Sequence, residues 1–384
     1  MHKEIYATLQ VCYNEVLLLV CQIRNGRTYV LNTQKIYHNA IKDNVIIKPD
    51  AIVSAIKEAI SNARKDLDYV IDKIILVVNS IDLNLVTKKF HSDVNDPLGR
   101  ILKDNIQNLY YQASLENNLN GLQLTNIQVY QYKVNSNTML KVPINEKALR
   151  VYADMDLYYI NREYLYQMAM LVEGSGLEIQ YVVIDQIAFG QEASLVDHDS
   201  NKYYITLLCN SDNCSLGLYY KGKLVHSHLL DVSFNKWIEK LSSRFNIPYE
   251  MAEKLIMNNF NPLENNPDKR PVSVWRNGEH TYSASQLDIY KVVEPLFSNG
   301  IKQLKDTCQE ILNHGDVEIL LGGSWANLKN LAIYLEKNLN VKCNLYVPQT
   351  IGARNSIYTC LLGACYNYHD QKQWLVRDDN GGNV

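Results

Sequence analysis

Residues 4–22 and 28–37 alternate or run apolar at strand period around the turn Arg24-Asn25-Gly26-Arg27, which predicts an opening hairpin. A third strand is expected at 45–47, stopped by Pro49. Asp50 then caps a helix in which Ile52, Ile56, Ile60, Ala63 and Leu67 recur at helical spacing, and 74–78 reads as a buried strand. From 80 to about 155 the texture changes to strands at 82–86, 124–134 and 148–159, around a polar helical middle carrying Leu102, Ile106 and Leu109. That stretch reads as a small α+β insertion. A helix capped by Asn161 and ended by Gly174-Ser175-Gly176 follows, then the strand 179–184.

A second hairpin opens at 203–209 and 216–220, turns through Lys221-Gly222-Lys223 and continues over 224–230. Helices are expected at 235–245 and 249–257, strands at 272–275 and 279–283, and a long helix at 284–313. The strand 317–321 ends at Gly322-Gly323. A helix at 327–338, a strand at 342–347 and a helix at 355–366 close the pattern. Two halves, each led by a hairpin and followed by α/β units, form a repeat of topology without visible sequence identity.

Composition sharpens this picture in three places. With 47% hydrophobic residues in 384, the chain can bury a large core, while a formal net charge of −3 gives no basic field for nucleic acid. The longest early apolar run, 16–21, is far short of a membrane span and has no cationic flank or cleavage site, so the chain reads as unsecreted. The eight cysteines form no Cys-x-x-Cys pair and sit among apolar neighbours, as buried reduced thiols do. Glycine is scarce, 17 of 384 residues or about 4.4%, against a usual ~7%.

Several stretches resemble the FtsA family, bacterial actin-like proteins that tether the tubulin-like FtsZ ring to the membrane. IKDNVIIKPDAIVSAIKEAI, ending at Ile60, is similar to the strand and helix after the first hairpin. LEIQYVVIDQIAFGQEASL (177–195) is similar to the connecting segment, with Asp185 and Ala188 at the acidic and alanine positions. ILLGGSWANLKNL (319–331) resembles the adenosine loop, and 341–363 the closing strand and helix. The insertion at 80–159 falls where that family carries its own.

The resemblance implies an α/β, actin-like two-domain fold with a small α+β inserted subdomain. The expected division is 1–79 and 160–199 for the first domain, with 80–159 inserted. The second domain takes 200–232 and 296–345, with an accessory subdomain at 233–295, a closing strand and helix at 346–370, and a polar tail at 371–384. In this fold two hairpin turns hold the phosphates of ATP, with glycines admitting backbone N–H groups and carboxylates positioning magnesium. The first-turn pattern Asp-Ile-Gly-Thr-Ser-Lys falls on Gln10-Val11-Cys12-Tyr13-Asn14-Glu15. The second, Asp-Ile-Gly-Gly-Gly-Thr-Thr-Asp, falls on Leu208-Cys209-Asn210-Ser211-Asp212-Asn213-Cys214-Ser215. The four glycines, the strand aspartates and the first-turn hydroxyls and lysine are replaced. Glu15 and Asp212 are expected to repel a triphosphate, each like-charge pair at roughly 4 Å costing on the order of 4 kcal/mol at an effective dielectric of ~20.

The adenosine side is better kept. Gly322, Gly323 and Ser324 match the glycine-rich loop, with Trp325 intruding, and Glu253 matches a ribose-holding acid, although the lysine three positions later is Ile256. The resemblance therefore implies a scaffold that is no enzyme, a pseudo-ATPase with no cofactor. The alternative is an ATPase using Mg-ATP, with Ser211, Asn213 and Asn14 as donors and Asp212 at the metal; a pilus-assembly or chaperone-like module of the same fold is a third reading.

No metal site is expected. His226 and His228 share a strand face without a third ligand, and Asp197-His198-Asp199 lies in a polar turn. Lys269, Arg270, Arg276 and Lys291 sit where the family receives the FtsZ tail peptide and can meet an acidic partner, although Asp268, Glu279 and Asp288 lie among them and Leu296 replaces an expected arginine. Gln373-Trp374-Leu375-Val376-Arg377 is too short for an interfacial helix, which implies membrane contact through a partner or a further C-terminal segment. The implied place is the bacterial cytoplasm at the division site, on the inner face of the membrane. The implied partners are the FtsZ tail, other division proteins and further copies of this chain.

Overall fold

The computed structural model describes residues 4–42, 45–116, 119–195, 202–211, 213–230, 232–277, 280–312 and 316–375. The run 4–22 forms two strands rather than one. β1 (Glu4–Val11) and β2 (Glu15–Arg24) pair antiparallel from Glu4↔Ile23 to Val11↔Val16, and Cys12-Tyr13-Asn14 makes the turn. Both strands and the turn between them are buried almost throughout, so no exposed polar stretch interrupts the run, and the turn carries no glycine or proline to mark it. β3 (Arg27–Tyr37) follows through Asn25 and Gly26, whose φ angles of 52° and 70° give the two-residue turn that suits twisted strands.

β4 (Ile41–Lys42) and β5 (Val45–Ile46) pair only with each other, so the strand expected at 45–47 is a two-residue ladder outside the main sheet. α1 (Pro49–Leu67) begins before Asp50. Pro49 takes the first turn, where its fixed φ fits and its missing N–H would have no partner anyway, so Lys48 is the cap residue. β6 (Lys73–Val78) lies parallel to β1.

The insertion comprises β7 (Asn84–Asp93), α2 (Lys103–Ser114), β8 (Leu122–Val134), β9 (Asn137–Met139) and β10 (Arg150–Asn161). Its sheet runs β7-β10-β8-β9 and covers α2 over a separate core that includes Ile106, Leu109, Val151, Met155 and Leu157. Asn161 accepts a hydrogen bond from the Tyr164 backbone N–H at 3.0 Å, capping α3 (Arg162–Gly174) as the sequence implies. β11 (Glu178–Ile184) pairs parallel with β6, and α4 (Asp185–Glu192) follows directly.

The second half opens with β12 (Tyr203–Cys209), β13 (Cys214–Tyr220) and β14 (Lys223–Leu230), then α5 (Phe234–Phe245) and α6 (Tyr249–Asn259). β15 (Pro271–Asn277) and β16 (His280–Ser285) make an isolated hairpin before α7 (Gln286–Leu312), which is continuous through Pro295, where a subdomain division was expected. β17 (Val317–Gly322) lies parallel to β12. A 3-10 turn (Ser324–Asn327) comes before α8 (Leu331–Leu339), which starts later than expected because Asn330 adopts a left-handed φ of 59°. β18 (Lys342–Leu345) adds parallel to β17. α9 (Thr359–Gln371) also starts later than expected, after a 3-10 turn that Asn355 caps by accepting from the Ile357 N–H at 3.2 Å.

The strand orders β3-β2-β1-β6-β11 and β14-β13-β12-β17-β18 are the same order with the same directions, so the repeat read in the sequence is a repeat of fold. α4 and α9 cross where the halves meet: a Cβ on Gly363 would stand 1.7 Å from the Ala188 carbonyl oxygen. The insertion also reaches the second half. Lys223 donates to Asp156 at 2.7 Å and to Thr87 at 3.0 Å, and the Tyr158 hydroxyl donates to the Leu224 carbonyl at 3.2 Å. All eight cysteines are buried and unbridged. No described helix is long and apolar enough to cross a membrane.

Candidate functional site: the interdomain cleft

The two turns that would face a triphosphate are the β1–β2 and β12–β13 connections. In the first, the Cys12 N–H donates to the Glu15 carbonyl at 2.8 Å and the His38 N–H to the Asn14 carbonyl at 2.8 Å, so this turn's backbone is tied within its own sheet. Gln10, Cys12, Tyr13 and Asn14 are all buried. Tyr13 leaves the turn and donates to Glu239 of α5 at 3.2 Å. A side chain from one domain thus bonds the other directly across the cleft.

Glu15 corrects the expected charge argument. Its carboxylate is buried and lies 2.6 Å from Lys35 Nζ, so it is paired rather than open to a ligand. Burial pulls the Lys35 pKa down, but the Glu15 charge and hydrogen bond outweigh it and hold the ammonium above its ordinary value. Asp212, the other expected repulsive charge, lies outside the described residues.

In the second turn, Leu208, where the resemblance implies an aspartate, packs into the apolar core, and the Asn210 N–H donates to the Asn213 carbonyl at 2.9 Å. Ser211 accepts from the Trp325 indole N–H at 3.3 Å, while its carbonyl takes the Asn235 N–H at 2.9 Å. Ser215, at the second aspartate position, accepts from Gln186 Nε2 at 2.8 Å, and Gln186 Oε1 accepts from Thr206 at 2.6 Å. This Gln186–Thr206–Ser215 network is fully buried and was not anticipated; a glutamine inside IDQIAF was its one signal.

The adenosine side is joined to the second turn. Gly323 has φ +88°, and a Cβ there would lie 2.6 Å from both Asn210 Oδ1 and the Cys209 carbonyl oxygen, so close approach of two loops accounts for this glycine. A Cβ on Gly322 would meet the Phe189 ring at 2.9 Å. Ser324 begins the 3-10 turn and Trp325 is 1% exposed, stacked on Phe234 with ring centroids 4.6 Å apart. Ile256 is buried in the second core and offers no cation. Glu253 lies on α6, where burial raises its carboxyl pKa, with Lys35 opposing and Glu15 reinforcing the rise. Beside it the Tyr249 hydroxyl donates to Asn235.

The other predicted groups lie elsewhere. His226 and His228 are exposed on β14, their rings parallel at 6.4 Å, and no cluster of three metal-ligating side chains occurs among the described residues. Asp197-His198-Asp199 lies outside them. Arg270 is held by Asp268 at 2.6 Å and Lys291 lies 4.0 Å from Asp288; Lys269 and Arg276 are exposed nearby, and Leu296 packs on the second core. Two of these four cations thus already have a local carboxylate.

No protein-family model matches the chain. Over 357 residues it is 20% identical to the cell division protein FtsA of Streptococcus pneumoniae serotype 2 (strain D39), covering 92% of this chain and 78% of that protein. It is 22% identical over 325 residues to the FtsA of Buchnera aphidicola subsp. Baizongia pistaciae, covering 81% and 75%. Among solved structures, a chain of the PilM–PilN type IV pilus biogenesis complex superposes with a TM-score of 0.61 at 14% identity, over 94% of this chain and 98% of that one. MreB5 of Spiroplasma citri bound to ADP gives 0.53 at 11% identity, over 96% and 97%. The repeated sheet and these likenesses together give the chain the two-domain actin-like fold and a divergent similarity to cell division protein FtsA.

Proposed function

We propose that this protein is a cell-division scaffold of the FtsA type, which links the FtsZ ring to other division components, self-associates, and keeps the actin-like frame without turning over Mg-ATP. The observation that carries the division role is similarity to cell division protein FtsA through 92% of the chain. Loss of turnover is supported by the cleft. Tyr13 bridges to Glu239, Leu208 and Ser215 stand at carboxylate positions, and Trp325 packs against Ser211. Neither Leu208 nor Ser215 offers magnesium a carboxylate.

The direct test is fluorescence anisotropy with a labelled FtsZ C-terminal peptide. Saturable binding supports the role, and no binding at high micromolar concentration counts against it. Weakening when Lys269, Arg276 and Lys291 are changed together to Gln places the contact on the accessory face. A second reading, a pilus-assembly module, draws on the superposition on a PilM–PilN chain. Capture of a pilus-assembly peptide in place of the FtsZ peptide would select it.

A further inference from the structure

A half-open cavity of about 540 Å³ lies at the mouth of the cleft, beside the first turn. Such a volume suits a small molecule. Tyr13, Tyr37 and Tyr249 give it aromatic side chains, with Lys35 Nζ standing 4.9 Å from the Tyr37 ring centroid, and Glu239 and Glu250 give it two carboxylates, while no lysine or arginine lines it among the described residues. His38, also in the wall, is kept neutral because burial pulls its pKa down to about 4. Asn14 supplies an independent sign of a ligand. It is 6% exposed, it lines the cavity, and neither its amide oxygen nor its amide nitrogen has a partner among the described residues. A buried amide left unpaired is costly unless something else completes it.

We propose that this cavity binds a small organic cation, an ammonium or guanidinium compound that also carries a hydrogen-bond acceptor, in place of a nucleotide. The positive group sits among the tyrosine rings and is met by Glu239 and Glu250, since ring faces and carboxylates both attract a cation. The Asn14 oxygen accepts from the ligand's N–H and its nitrogen donates to the ligand's acceptor. A triphosphate would instead meet two carboxylates and, among the described residues, no lining cation. The assignment rests on the reading that the cleft has lost Mg-ATP, and the test separates the two.

Arginine amide and agmatine are matched in charge and differ in the carboxamide. Titrating each into the full chain by calorimetry, with Mg-ATP in parallel, should show saturable binding of both cations, tighter for arginine amide, and none for Mg-ATP. Glu250→Gln, at an exposed helical position, should weaken both cations about tenfold. Glu239→Gln should do the same, with thermal melts confirming that each variant folds. No cation binding at millimolar concentration, or binding that neither variant weakens, overturns the assignment and leaves the scaffold reading standing. Mg-ATP binding in competition with the cations overturns both.

Discussion

Two glycines in helices, Gly174 and Gly363, look alike in sequence but differ in what surrounds them. Replacing Gly363 by Ala removes backbone freedom from the unfolded chain and improves helix propensity, a gain of ~0.8–1.0 kcal/mol in a helix interior. Against that, the new methyl would lie 1.7 Å from the Ala188 carbonyl oxygen and 2.6 Å from its carbon. Ordinary contact begins near 3.4 Å, so α4 and α9 must part by 3.4 − 1.7, about 1.7 Å, at their crossing. The obstacle is backbone and cannot rotate aside. Parting the helices also loosens Ile187, Phe189, Leu361 and Leu362, all fully buried. Overpacking of ~1–3 kcal/mol is usual where side chains can yield, so the steric cost outweighs the propensity gain. Gly363→Ala should lose at least about 2 kcal/mol net, a fall in Tm of several degrees at ~2–4 °C per kcal/mol. Gly174→Ala is the control, because its Cβ would only touch Val53 Cγ2 at 3.7 Å and stability should be unchanged or slightly higher. Urea and thermal unfolding followed by circular dichroism measure both. If Gly363→Ala is as neutral as Gly174→Ala, the domain junction described here is wrong.

Two other outcomes follow from buried charge. Lys223→Met leaves Asp156, 2% exposed, without its ammonium, and breaking such a buried pair costs ~3–5 kcal/mol, whereas Lys223→Met with Asp156→Asn should recover most of it; equal melts for the single variant and the parent would show that the insertion does not dock through this pair. Burial raises the Glu192 carboxyl from its ordinary 4.5 to about 8, with the Tyr346 hydroxyl, which donates to Glu192 Oε1 at 3.5 Å, partly opposing the rise. The folded chain therefore holds a proton that the unfolded chain releases, and stability falls as pH rises from 4.5 through about 8. Glu192→Gln should match the parent below that window and exceed it by up to roughly 5 kcal/mol above it, at ~1.36 kcal/mol per pH unit between 4.5 and about 8; a difference independent of pH would refute the assignment.

The fold was legible where local chemistry and tertiary packing agree. Asn25-Gly26 could only be a tight hairpin, Asn161 capped its helix, and the return of hairpin and α/β texture after 200 announced the second sheet. It was illegible at Cys12-Tyr13-Asn14, where burial on both sides makes two strands look like one. The helix starts near Pro49, Leu331 and Thr359 moved because a proline, a left-handed asparagine and 3-10 turns are settled by backbone geometry rather than periodicity. For the site, only the family resemblance pointed to the two turns, and the sequence could not pair Glu15 with Lys35 or send Tyr13 across to Glu239, since those contacts depend on where distant elements meet. The missing glycines fall at both turns, beside which Tyr13, Leu208 and Trp325 are buried.

The central claim is an actin-like frame whose cleft is occupied by its own side chains and does not turn over ATP. Calorimetric titration of the full chain with Mg-ATP, together with a continuous phosphate-release assay, tests it most directly. The account predicts no saturable heat at millimolar nucleotide and no release above background. Micromolar binding, or steady release abolished by a substitution at Leu208 or Asp212, would contradict it.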